Sequence, residues 1–191
     1  AFANELAGIC EKLGINVWEV IELANKHPRV NIHQPGPGVG GHCLAVDPWF
    51  IVEKASELAK IIELSRKTND NMPQHVLTRI EEILKDVEGE KKVSILGITY
   101  KPNIDDMRES PIIELIDLLD KRGDFEVRVY DPYVKAHKYQ AKDLIDVAVG
   151  SDLLVLAVHH DRFKNLPLID MAKVMRNRNL FDTRNFLDRE E

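Results

Sequence analysis

Phe2, Leu6, Ile9 and Leu13 recur at steps of four, three and four, the apolar stripe of an amphipathic helix. Gly14 suits the residue just past its last turn. The stripe is already running at residue 1 with no capping side chain ahead of it, so the chain is expected to begin inside a helix and to be a piece of a longer protein. Asn16 and Glu19 stand at capping spacing ahead of a second short helix carrying Val17, Val20, Ile21 and Ala24. Periodicity lapses from 27 to 47, where prolines and glycines mark an ordered loop with close backbone approach. Asp47 followed by Pro48 reads as a helix start. A long helical region is expected from there to about 69, bending near Pro73 and ending near 85. Its apolar positions Phe50, Leu58, Ile61, Ile62 and Leu64 are expected in core and interface.

From 89 onward the pattern changes. Residues 92–99 and 152–158 are short apolar runs of the kind a sheet buries on both faces. Residues 127–130 and 180–182 read as further strands. Ser110-Pro111 opens a helix to about 119, and 143–148 and 171–175 read as short helices. Strands alternating with helices predict an α/β class with a small parallel sheet. The expected organisation is a helical region over 1–88 followed by a Rossmann-like domain over 89–191.

The 191 residues are 44% hydrophobic and 30% charged, enough apolar material for a soluble, cored protein. No apolar run approaches the roughly 18 residues of a membrane span. The net charge of -6 speaks against a nucleic-acid binder. Two cysteines, Cys10 and Cys43, make no disulfide framework and point to a reducing, cytoplasmic compartment. Their separation, with His33 and His42 near one of them, does not match a zinc site, and no metal is expected.

The candidate chemistry gathers in PGPGVGGHCLAVDPWF at 35–50. Four glycines in six residues let the backbone approach a bulky group, and exposed amides there suit an anion or a sugar. Cys43 follows beside an expected helix N-terminus, where the dipole attracts negative charge. Asp47, four residues on, is placed to position a water or move a proton. On residues alone, a lone cysteine such as Cys43 is more often a small buried apolar side chain, and Asp47 reads also as a helix cap. Tyr100, Lys101, Arg108 and Arg184 fall at strand ends or before a helix start, where α/β folds gather anions. His159 and His160 also follow a strand, without a specific role. An NAD-binding domain over 90–191 is a rival reading, but GITYKP at 97–102 carries one glycine and a proline instead of the dinucleotide fingerprint. A non-catalytic dimerisation module is a second rival.

Three segments in order resemble the UDP-glucose/GDP-mannose dehydrogenase family of nucleotide-sugar 6-dehydrogenases: the loop at 35–50, GITYKPNIDDMRESP at 97–111, and FDTRN at 181–185. The resemblance implies NAD-dependent, four-electron oxidation of a sugar C6 hydroxyl to a carboxylate. It implies that Cys43 forms a thiohemiacetal and then a thioester, and that Asp47 works with a water. Arg29 matches an arginine reaching the neighbouring subunit's sugar in a homodimer, and His27 and His33 lie near the same pocket. Gly40, Gly41, Tyr100, Lys101, Arg108 and Arg184 are expected to line the UDP-sugar. A catalytic lysine, an asparagine and the NAD domain would lie upstream of this chain, leaving it inactive by itself. NIHQPG at 31–36 resembles the branch acting on UDP-N-acetyl-D-mannosamine, with UDP-glucose and UDP-N-acetylglucosamine left open.

Overall fold

The computed structural model describes residues 1–188. The strands β1 (Lys91–Leu96), β2 (Phe125–Tyr130), β3 (Leu153–Leu156) and β4 (Asn179–Asp182) form one sheet, parallel throughout, in the order β2-β1-β3-β4. Alternation along each strand sorts the side chains. Val93, Ile95, Leu153 and Val155 face one layer of helices, while Leu96, Leu154 and Leu156 face the other. The first layer is α5 (Met72–Ile83) and α6 (Pro111–Arg122); the second holds α7 (Leu144–Ala148) and α8 (Leu168–Val174). Ser110 caps α6 by accepting the Ile112 N–H, and Asp143 caps α7 by accepting those of Ile145 and Asp146. At the amino ends of the strands the fully buried Asp152 accepts the Lys92 N–H at 2.8 Å and is clasped by Arg176 and Asn177. Val76, Leu77 and Ile80 of α5 share the core of the sheet.

The helices α1 (Phe2–Leu13), α2 (Val17–Asn25), α3 (His42–Lys54) and α4 (Lys60–Asp70) precede α5. Gly14 ends α1 in the left-handed region at φ 68°, and the Asn16 side chain accepts the Trp18 N–H to start α2. Three expectations need correction. Helix α3 begins at His42, so Asp47-Pro48 lies inside it instead of starting it. The long helix to residue 69 is broken at 55–59, where Leu58 and Ala59 donate back to the Ala55 carbonyl and the chain turns. A straight helix would separate residues 44 and 66 by roughly 33 Å, yet Arg66 Nη1 donates to the Leu44 carbonyl at 2.9 Å. Finally, the apolar stripes of α1, α3 and α4 do not enter this chain's core. Phe2, Leu13, Phe50, Leu58, Ile61 and Leu64 are exposed, Ile61 by 81%. What α1 buries is Ala3, Asn4 and Cys10.

Candidate active site

Short polar side chains fix the loop between α2 and α3. Asn25 Nδ2 donates to the Ile32 carbonyl at 3.0 Å and Asn25 Oδ1 accepts the Ile32 N–H at 2.7 Å. Asn4, buried on α1, accepts the Gly36 N–H at 2.9 Å and donates to Asn69 Oδ1 at 3.0 Å, tying α1, the loop and the end of α4 together. Sequence reasoning missed this node, because a mid-helix asparagine carries no local signal of what it will meet.

The glycines that follow press against the α/β half. A Cβ on Gly36 would overlap the Arg184 guanidinium, and one on Gly40 the Glu109 carbonyl oxygen. Gly41, at φ 88°, lies under the Tyr100 ring, where a Cβ would sit 2.9 Å from Tyr100 Cε2. Gly38, Gly40 and Gly41 are buried. Their service in the fold is close packing of loop on domain; the exposed amides anticipated from composition are not what the loop presents.

Helix α3 starts directly from Gly41. Cys43 is its second residue and is exposed to solvent. Asp47, also exposed, lies one turn on, so thiol and carboxylate share a helix face with Cβ atoms about 5–6 Å apart. Pro48 offers no N–H to the Leu44 carbonyl, next to the thiol. Arg66 supplies the missing donor through Nη1 and pairs with Asp70 through Nη2, with only 6% of its surface exposed.

On the α/β side the expected residues fare differently. Tyr100 packs on Gly41 at the carboxyl end of β1, and Lys101, exposed, holds Nζ 5.8 Å from the Tyr100 ring centre. Arg108 is exposed and bonds Asp106 through both Nε and Nη2, a pairing that holds the Asp106 carboxyl down at about 2. Arg184 follows β4, donates through Nε to the Ala157 carbonyl at 3.3 Å, and is pushed by burial down to about 10. It lines a cavity of about 400 Å³ with Trp18, Gln34, His159 and Phe186. Burial and then the Arg184 charge lower the His159 ring, whose buried Nδ1 has no hydrogen-bond partner. His27, Arg29 and His33 are exposed on the loop and line neither this cavity nor the Tyr100 contact; the Arg29 guanidinium is unpaired within the described chain. Among the described residues no three His, Cys, Asp or Glu side chains are placed to hold a metal ion, and no helix is long and apolar enough to cross a membrane.

Residues 1–71 match the central domain of the UDP-glucose/GDP-mannose dehydrogenase family, and residues 94–189 match that family's UDP binding domain. The chain belongs to this family. UDP-N-acetyl-D-mannosamine dehydrogenase of Methanocaldococcus jannaschii is 49% identical to it over 193 residues, 100% of this chain and 44% of that protein. NDP-N-acetyl-D-galactosaminuronic acid dehydrogenase of Ralstonia nicotianae is 45% identical over 171 residues, 87% of this chain and 40% of that protein. The solved UDP-N-acetyl-mannosamine dehydrogenase Cap5O from Staphylococcus aureus, in its derivative form, superposes with a TM-score of 0.89 at 46% identity, over 98% of this chain and 44% of that one. The chain thus spans less than half the length of these relatives.

The family implies NAD, and the α/β half of this chain does not fit it. The turn after β1 has Gly97 in place of three glycines. Its Ile98 N–H is taken at 2.8 Å by Asp131, the acid at the end of β2 that a dinucleotide domain would offer to a ribose. Asp131 is 2% exposed and committed inside the fold.

Proposed function

We propose that this chain is the sugar-nucleotide half of an NAD-dependent nucleotide-sugar 6-dehydrogenase acting on UDP-N-acetyl-D-mannosamine, with Cys43 as its nucleophile. The observation that carries the reading is the exposed Cys43 thiol in the first turn of α3, at the end of a glycine loop packed onto Tyr100. The sulfur adds to the C6 aldehyde left by the first oxidation: a C–S bond forms and the carbonyl oxygen becomes a hydroxyl. Once that adduct has been oxidised to a thioester, water attacks the acyl carbon and the sulfur leaves, giving the carboxylate. Asp47, one turn along the same face, suits orienting that water and taking its proton. NAD, which supplies the two hydride-accepting oxidations, would be held by residues outside this chain.

Arg184 gives the nucleotide an anchor: a guanidinium whose charge burial disfavours is relieved by an anionic diphosphate. Gly36, against Arg184, and Gly41, against Tyr100, are at most roughly 17 Å apart along the loop, so Arg184 and the Tyr100–Lys101 pair flank one short stretch of backbone. Arg108, already paired with Asp106, serves the loop more than the ligand. The choice of an N-acetylated sugar rests on the relatives. Those named for UDP-N-acetyl-D-mannosamine are 38–49% identical and those named for NDP-N-acetyl-D-galactosaminuronic acid 29–45%, whereas the UDP-glucose dehydrogenase of Pyrobaculum islandicum is 25% identical. The exposed apolar faces of α1, α3 and α4 and the unpaired Arg29 suit a homodimer in which Arg29 reaches the partner's substrate. The test uses the full-length enzyme with UDP-N-acetyl-D-mannosamine, UDP-N-acetylglucosamine and UDP-glucose. UDP-N-acetyl-D-mannosamine should give the highest kcat/KM, the enzyme should sediment as a dimer, and Cys43→Ser should stop after the first of the two oxidations. Four-electron turnover by Cys43→Ser removes the cysteine from the mechanism.

A further inference from the structure

The loop that carries Tyr100 and Lys101 is gripped at both ends by one buried pair. His160 and Asp131 have no exposed side-chain surface, and His160 Nε2 lies 3.0 Å from Asp131 Oδ2. At the near end of the loop the same carboxylate oxygen accepts the Ile98 N–H at 2.8 Å. At the far end the Asn103 N–H donates to His160 Nδ1 at 2.9 Å. A backbone N–H is always a donor, so Nδ1 holds a lone pair, and Nε2 carries the hydrogen given to Asp131. The ring cannot turn without losing both bonds. Tyr133 and Phe163 pack against it with ring centres 5.0 and 5.3 Å away.

The rest of the grip follows from the same residues. Asn103 takes the left-handed conformation at φ 62°; its Oδ1 accepts the Asp161 N–H at 2.9 Å and its Nδ2 donates to Asp161 Oδ2 at 2.8 Å. Thr99 Oγ1 donates to the Lys101 carbonyl at 2.9 Å. The four residues between the two anchored amides, 99–102, therefore have their path set by groups at the ends of β2 and β3. Lys101 itself is exposed and has no ion pair within the described chain.

We infer that His160, acting as the Nε2–H tautomer through Asp131 and the Asn103 amide, is a positioning residue that presents Tyr100 and Lys101 to the nucleotide diphosphate. The inference rests on the proposed UDP-sugar site. It assigns His160 no contact with substrate.

The test is made on the full-length enzyme by titration with UDP and by steady-state kinetics. Gln at 160 can keep the donor to Asp131 but not the acceptor for Asn103; Asn can keep the acceptor. His160→Gln should weaken UDP at least tenfold and raise the KM for the UDP-sugar, leaving the KM for NAD unchanged. His160→Asn should recover most of that loss. In a Lys101→Ala background His160→Gln should add little, since the positioned group is gone. Equal losses with and without Lys101, or UDP binding within twofold of wild type in His160→Gln, overturn the inference. If Lys101→Ala by itself leaves UDP binding intact, the reading of the site fails instead, and this inference with it. Should the His160 variants not fold, amide exchange and ring nitrogen NMR of the unaltered protein decide. Protected Ile98 and Asn103 amides with an Nε2–H ring support the grip; a rapidly exchanging Asn103 amide or an Nδ1–H ring refutes it.

Discussion

Pro48 leaves the Leu44 carbonyl without an intrahelical donor, and Arg66 replaces it from 22 residues away. The carbonyl belongs to the residue after Cys43, so the guanidinium supports the backbone on which the thiol sits. Arg66→Ala removes that charge-assisted hydrogen bond, worth about 1.5–3 kcal/mol, and also leaves Asp70 unpaired. Urea denaturation of Arg66→Ala should show that loss; a change below about 0.5 kcal/mol would mean that water serves the carbonyl equally well. At this scale the sequence was partly legible. Cys43 and Asp47 stood out because thiol, glycines and carboxylate fall within a dozen residues. Arg66 and Asn4 did not, because their partners are set by the turn at 55–59 and by the loop's path across α1.

Strands β1 and β3 were legible as elements because buried parallel strands read as unbroken apolar runs, and α6 and α7 because their capping residues precede them. Helix α3 misled for a physical reason. Asp-Pro is a common helix start, since a proline in the first turn loses no hydrogen bond, and only Arg66 lets this one stand further in. Among the elements Asp152 does the widest tying, joining the amino ends of β1 and β3 to the segment before β4. Burial works to raise its carboxyl, but Arg176, the Lys92 N–H and Asn177 outweigh it and hold it below the ordinary value. A lowered carboxyl stabilises the fold fully above the unfolded value of about 3.9 and loses that stabilisation as pH falls through the folded value. Asp152→Asn should therefore be less stable than wild type at neutral pH and lose less further stability between about pH 5 and about pH 2. Parallel stability–pH curves, from thermal melts at each pH, would exclude that role for Asp152.

Taken whole, the chain is a sheet with helices on both faces and a helical region whose apolar residues look outward. The stripe pattern correctly marked α1 as an amphipathic helix, but periodicity says only that one face is apolar, not which molecule covers it. The glycine loop packs against Arg184, Glu109, Pro111 and Tyr100, so the segment leading into the thiol of α3 lies against the α/β half. That arrangement makes Cys43, exposed here, the group a bound nucleotide sugar should cover, while Cys10, 4% exposed, should stay unreactive throughout. The most direct measurement is alkylation of the full-length enzyme by iodoacetamide, followed by peptide mass, with and without saturating UDP-N-acetyl-D-mannosamine. Cys43 should label readily in the free enzyme and at least tenfold more slowly with the sugar nucleotide bound. Equal labelling in both states would contradict a thiol that faces the sugar.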